Sequence, residues 1–243
     1  MIILATDTSA QPLTVTLKTE SVFVTKTFAG RALQHSERLI PTVQELCKDA
    51  GITEKDIDLL VCTRGPGSFT GLRIGMAAFK GMSLALNKPL VSVSTLGLYA
   101  GCVSHFDGAI VTVLDAKKQR WYLAAFENRT EDGKHTCKRL SPDIDGIAED
   151  LKDVLAPYDR ILVTGPDAAA FAPMLKEMLV EGSGNKTVIV DTISVNSIPA
   201  VLPQMGLEKF EKDGADDIGQ GPVYLRKSDA EIALEEKQKN GLK

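Results

Sequence analysis

Arg64-Gly65-Pro66-Gly67-Ser68-Phe69-Thr70-Gly71-Leu72-Arg73-Ile74-Gly75 is the stretch from which the rest of the chain is read. An apolar run before it, Ile57 to Cys62, is short enough to be a buried strand. The apolar pattern after it, Leu72 to Leu86, predicts a helix. The glycines therefore stand at a strand-to-helix corner. Gly65 and Gly67 permit backbone angles that a Cβ forbids, and Pro66 fixes its own φ between them. Ser68 or Thr70 can cap the helix, whose first N–H groups have no partner within it. A corner of this kind can receive an anion, and it can equally be a tight turn in an α/β sheet.

The helix after the corner has little wet face. Leu72, Met76, Phe79 and Leu86 fall on one side, and Ile74, Ala77, Ala78, Gly81 and Ala85 on another. Arg73 and Lys80 are its main charges. A helix on a sheet normally has one apolar stripe, so this one is expected to be covered on two sides, by its own sheet and by a second body. Ala77, Gly81 and Ala85, at four-residue spacing, allow a close neighbour.

The 243 residues suit one large domain or two small ones, and 44% hydrophobic with 25% charged residues describes an ordinary globular chain. A formal net charge of −4 argues against a free-standing nucleic-acid binder. Cys47, Cys62, Cys102 and Cys137 are scattered without a CxxC pair, and His35, His105 and His135 form no HxxxH pair. Reduced thiols and no metal site are expected. The start, Met1 to Asp7, has neither the basic region nor the apolar length of a leader, and no apolar run is long enough for a bilayer. A cytoplasmic protein that does not contact membranes is the expectation.

In chain order, Ile2–Thr6, Leu13–Lys18 and Ser21–Phe28 read as a three-strand meander. Asp7-Thr8-Ser9 at the first strand's tip can hold a metal-bound phosphate or close an Asx turn. Gln34–Ala50 is a helix with Leu39, Val43, Leu46 and Ala50 at helical spacing, and Gly51 stops it. Strand, corner, helix and strand Leu90–Val93 follow. The order then repeats: strand Ala109–Leu114 ending in Asp115, strands Arg120–Phe126 and His135–Arg139, and a helix Asp143–Leu155 opened by Ser141 and Pro142. Strand Arg160–Thr164 ends at Gly165, helix Ala168–Leu179 and strand Val188–Val190 come next, and a helix Ile198–Lys212 is expected to break near Pro203. The chain thus reads as α/β, with two βββαβα units in residues 1–100 and 101–243 facing each other across a cleft. Asp7, Thr8, Ser9, Asp115 and Gly165 are the candidate cleft residues. Asp229–Lys243 reads as a charged tail.

With these residues in view, the corner Gly65 to Gly75 is similar to the signature of the TsaB (YeaZ) family. Ile3-Leu4-Ala5-Thr6-Asp7-Thr8-Ser9, His35-Ser36-Glu37-Arg38-Leu39, Asp115-Ala116-Lys117-Lys118 with Trp121-Tyr122, and Pro222-Val223-Tyr224-Leu225-Arg226 also resemble it. These matches run from residue 3 to residue 226. The resemblance implies two RNase-H-like halves in the actin-like, sugar-kinase-like ATPase (ASKHA) fold. It also implies a role in forming N6-threonylcarbamoyladenosine at adenosine 37 of ANN-decoding tRNAs. The implied partners are a catalytic TsaD-like paralogue and a TsaE-like P-loop ATPase, with tRNA met through the complex. The complex uses ATP and Mg²⁺, and no cofactor of the chain's own is expected. The catalytic paralogue binds a metal through two histidines four residues apart, where this chain has Thr95 and Tyr99, and Gly165 stands alone where nucleotide-binding relatives have several glycines.

Three functional readings follow. The first is a catalytically silent partner that uses its first two helices to pair with the paralogue and, in isolation, with itself. Its interface would comprise His35, Leu39, Val43, Leu46, Phe69, Leu72, Arg73, Met76, Phe79 and Lys80. The second is an ATP-dependent kinase or ATPase with Asp7 and Asp115 as metal and phosphate ligands. The third is a metalloprotease, against which the missing histidine pair speaks.

Overall fold

A computed structural model of the chain describes residues 1–29, 34–131, 134–180 and 186–226. The charged tail expected from Asp229 lies outside them. Among the described residues eleven strands form two sheets, and five of the second sheet's six strands repeat the first. β1 (Ile3–Asp7), β2 (Leu13–Lys18) and β3 (Phe23–Phe28) are the meander, followed by β4 (Leu59–Gly65) and β5 (Leu90–Ser94), in the spatial order β3-β2-β1-β4-β5. β6 (Gly108–Lys117), β7 (Arg120–Glu131), β8 (Lys134–Arg139), β10 (Arg160–Thr164) and β11 (Thr187–Val190) take the same places, in the order β8-β7-β6-β10-β11. In each sheet the first three strands pair antiparallel and the last two join in parallel. This is the RNase-H-like arrangement, present twice.

Strand alternation sorts the core into three layers. Leu4, Leu13, Val15 and Leu17 face outward from the first sheet onto α1 (Gln34–Asp49) and α2 (Phe69–Leu86). Ile3, Ala5, Val61 and Val93 face the other way. They meet Ile110, Leu114 and Phe126 of the second sheet across α3 (Thr95–Gly101) and α6 (Ile198–Asp213). The far face of the second sheet, with Val111, Val113 and Leu123, packs on α5 (Ala168–Val180) and on Leu155 of the short α4 (Lys152–Leu155). The sheets and helices thus stack in five layers. Among the described residues no helix is long and apolar enough to cross a membrane.

Three expectations need correction. Asp143–Leu155 is not one helix. Ile144–Gly146 is a short strand, β9, paired with Trp121 to Leu123, and Ala148–Leu151 is a 3₁₀ turn. The side chains decide this: Ser141 Oγ accepts from Ala125 N at 2.9 Å, Asp145 Oδ1 takes Arg120 Nε at 2.7 Å, and Asp150 Oδ2 accepts Ile147 N at 2.9 Å. Ser141 and Asp145 are thus engaged by remote residues, and Asp150 caps the 3₁₀ turn that starts at Ala148. α6, in turn, runs unbroken through Pro203, because Leu202, Pro203 and Gly206 are buried there and Gly206 lies directly on Val61 of β4. Burial offsets the one bond the proline cannot make. The division near residue 100 separates the two sheets, but α6 and the residues after it return to the first sheet.

That returning segment is a strap. Asp216 N bonds Leu90 O at 2.9 Å, while its carboxylate takes Ser92 N at 2.7 Å, the Ser92 hydroxyl and the Lys209 ammonium. Further on, Val223 N donates to Arg64 O at 2.7 Å, and the Tyr224 ring stacks on Phe69 at 4.0 Å. Arg226 Nη1 reaches Ala116 O at 3.1 Å. The strap therefore ties the glycine corner of one half to the end of β6 in the other.

Candidate functional site

The glycine corner packs against the tip of β1. Ser68 N donates to Ser9 O at 2.6 Å, and Ser68 Oγ caps α2 by accepting Gly71 N at 3.2 Å. A Cβ at Gly67 would collide with the Ser9 carbonyl, one at Gly71 with the Thr8 carbonyl, and one at Gly75 with the Thr8 hydroxyl. Gly65, at φ +112°, has the Val223 carbonyl of the strap against it. Close approach of a backbone carbonyl accounts for Gly65, Gly67 and Gly71, and the Thr8 side chain for Gly75, which favours the tight-turn reading of the corner over the anion site.

The strand tips are committed in the same way. Asp7 is buried, and its Oδ1 accepts Ser9 N at 2.9 Å, Ser9 Oγ at 2.6 Å and Thr63 Oγ1 at 2.9 Å. This is the Asx turn. Burial nevertheless raises the acid's pKa above its ordinary 3.8, against the lowering effect of those three donors. In the second half Asp115 takes the N–H of Lys117 at 2.7 Å and its ammonium at 2.6 Å. Asp115's own N–H donates to Asp167 Oδ2 at 2.8 Å. Gly165, at φ +120°, lies against the Val113 backbone, where a Cβ would collide with the carbonyl. The five cleft residues thus sit at corresponding ends of the two sheets: Asp7, Ser9 and Asp115 hold their own turns, Gly165 lets its strand approach Val113, and the buried Thr8 Oγ1 has no partner among the described residues. Among the described residues no group of three or more His, Cys, Asp or Glu is placed to hold a metal.

The two-sided helix resolves into one buried and one open face. Leu72, Met76 and Phe79 of α2, with Leu39, Val43 and Leu46 of α1, are core residues at 0–4% exposure. These six expected contacts belong to the subunit's own interior, because they are the stripe that covers the first sheet. His35 is also buried, and burial lowers its pKa below 6.5 while the charge of Asp7 works the other way. Phe69 and Lys80 are half-buried, and Arg73 is exposed. The open face of α2 carries Arg73, Ala77, Gly81 and Leu84, the last 70% exposed, and Ile40 of α1 is also open, at 41%.

Residues 29–234 match the family model described as "TsaD: tRNA N6-adenosine threonylcarbamoyltransferase". A TsaB protein of Bacillus subtilis, described as a tRNA threonylcarbamoyladenosine biosynthesis protein, is 31% identical over 240 residues, which is 98% of this chain and 100% of the relative. The chain belongs to the TsaB (YeaZ) family. An Escherichia coli TsaB is 34% identical over 149 residues, 59% of this chain and 64% of the relative. The solved structure of YeaZ from Pseudomonas aeruginosa shares the fold at a TM-score of 0.64 and 23% identity, covering 92% of this chain and 99% of that one.

In this TsaB-family chain Thr95 and Tyr99 lie on α3, deep between the sheets, fully buried. Among the described residues neither Thr95 Oγ1 nor the Tyr99 hydroxyl has a hydrogen-bond partner. Burial, then the nearby Asp7 charge, raises the phenol well above its ordinary range, so it stays neutral. Leu84, Ile40 and Tyr224 were missed as site residues. Leu84 falls seven residues after Ala77, on the face of the small-residue row, and that spacing was a usable signal. Tyr224 stands in the resembling stretch Pro222–Arg226, but nothing local pointed to Phe69, since only the return of the strap brings the two together.

Proposed function

We propose that this chain is the non-catalytic partner of a TsaD-like threonylcarbamoyltransferase and is required for forming N6-threonylcarbamoyladenosine in ANN-decoding tRNAs. The observation that supports it is the open face of α2. Ala77 and Gly81 admit a neighbouring helix closely, Leu84 on the same helix offers apolar surface, and Ile40 of α1 is exposed as well. Exposed apolar side chains gathered on one helix pair suit a protein neighbour. The sister protein would dock there, and a second copy of this chain would use the same face in isolation. A TsaE-like ATPase would supply ATP hydrolysis with Mg²⁺, and tRNA would be met through the complex, since a net charge of −4 suits few phosphate contacts of the chain's own. The engaged carboxylates of Asp7 and Asp115, and the neutral groups at Thr95 and Tyr99, support catalytic silence.

The test is reconstitution of tRNA modification from purified TsaD-like and TsaE-like proteins, donor and tRNA, with this chain omitted, added as wild type, or added as Leu84→Glu. Modification is expected only with wild type. Leu84→Glu should stay folded, because the side chain is open to water, yet fail to co-purify with the TsaD-like protein. Modification without the chain, or undiminished activity of Leu84→Glu, would overturn the reading.

A further inference from the structure

Arg73 is held as a ready-made receptor. Its guanidinium lies 4.3 Å over the Phe69 ring and 5.6 Å from that of Tyr224, and the two rings are stacked at 16°. Its Nε donates to the Tyr224 hydroxyl at 2.9 Å. Among the described residues no other group accepts from it, so Nη1 and Nη2 point a free fork from an exposed position. A guanidinium fixed by stacking loses little freedom when it binds, and its fork matches a carboxylate in bidentate geometry. α2 itself has no acidic residue.

We infer that Arg73 binds the carboxylate of Glu37 from a second copy of this chain, across a two-fold axis running along the helices. The inference rests on the docking face proposed above. α1 carries three acidic residues, Glu37, Glu45 and Asp49. Lys26 holds Glu45 at 2.7 Å and Asp49 at 3.4 Å, whereas Glu37 is exposed with no partner among the described residues. Arg38, its neighbour in sequence, turns toward β3 and stacks over Phe28 at 4.8 Å. Because β3, β4 and β5 run parallel, the crossover helices α1 and α2 also run parallel, and Glu37 and Arg73 both lie in their opening turns. An isologous contact along that axis sets each Arg73 level with the other copy's Glu37 and makes the pair twice. A phosphate is the less suitable acceptor, because Ala77, Gly81 and Leu84 beside Arg73 form a surface for a helix and not for a polyanion.

Sedimentation equilibrium on the full chain tests the pairing. R73E and E37R are each expected to weaken the dimer about tenfold or more, since each sets like charges together twice. The double variant R73E/E37R should return to within about threefold of wild type, because the swapped pair is again complementary. E37R alters an exposed side chain without partners among the described residues, and its urea midpoint separates any cost to the first turn of α1 from a cost to the dimer. Y224F keeps the stack but loses the hydroxyl, and should weaken the dimer less than R73E. A dimer unchanged in R73E and E37R, or a double variant no better than the singles, overturns the inference. So does a wild-type chain that stays monomeric. Leu84→Glu separates the two levels: if it breaks the dimer while R73E does not, the face stands and the Arg73 pairing falls, and if neither breaks it, the face falls too. Retention of the R73E dimer together with loss of tRNA binding by the assembled complex would assign the fork to a phosphate and also overturn the pairing.

Discussion

Thr8 sits beneath the first turns of α2, with its carbonyl facing Gly71 and its hydroxyl facing Gly75. At Gly75 a methyl group would meet Thr8 Oγ1, Cγ2 and Cβ together, so rotating the threonine only exchanges one collision for another. Gly75→Ala is therefore expected to destabilise the subunit by about 1–3 kcal/mol. Gly71→Ala should cost more, because a backbone carbonyl cannot turn aside. Gly81 lies in the same helix with nothing within 4 Å of an added Cβ. There the substitution to alanine should stabilise by about 0.5–1 kcal/mol, the ordinary helix-interior difference. Urea unfolding of the three variants checks the set, provided the slope of the transition stays constant. Three equal effects would contradict a packing role specific to the first two glycines. The sequence displayed the glycines at four-residue spacing but not the backbone opposite them. That is why a phosphate loop and a packing corner could not be told apart until the tip of β1 was placed.

The strap is the element that long-range contacts define. Burial works to raise the pKa of Asp216, but the Lys209 ammonium and the two Ser92 donors outweigh it and hold the acid below its ordinary 3.8. A folded pKa below the unfolded one gives stabilisation that is complete above the unfolded value and lost as pH falls through the folded one. The strap is thus expected to stay latched from neutral pH down to about 4 and to loosen below it. Hydrogen exchange at Val223 N, corrected for intrinsic rate, reads this directly, since that N–H bonds Arg64 O. Asp216→Asn should raise the exchange near neutral pH and remove most of its acid dependence. Protection unchanged to pH 3 in the wild type would show that the latch lies elsewhere. The regular elements were easier to read: α1 and α2 announced themselves by apolar spacing, and the β2–β3 hairpin by its short polar turn. β9 was misread because Ser141 and Pro142 imitate a helix start while Arg120, distant in sequence, claims Asp145. Local pattern is decisive where a segment buries one continuous face and loses authority where a remote partner takes the polar groups.

At the scale of the molecule, the repeat was legible because each half carries its own sheet and its own β-carboxylate tip, Asp7 and Asp115. What the repeat did not reveal is that seven of the ten expected contact residues are buried inside the subunit. Fusion of the halves through α3, α6 and the strap leaves α1 and α2 on the outside of the stack, on the far side from the second sheet. If the sister protein and a second copy both require that face, the two associations exclude each other. Mass action then makes the apparent Kd for the TsaD-like protein rise with the total concentration of this chain, once that concentration passes the dimer Kd. Leu84→Glu should lose both associations together. Gly81→Ala should remain folded yet weaken both, because a methyl group is added where the helices come closest. Titrating the TsaD-like protein into labelled dimer should release labelled monomer into a one-to-one heterodimer. A stable ternary species holding two copies of this chain and one of the sister would show that the two associations use separate surfaces.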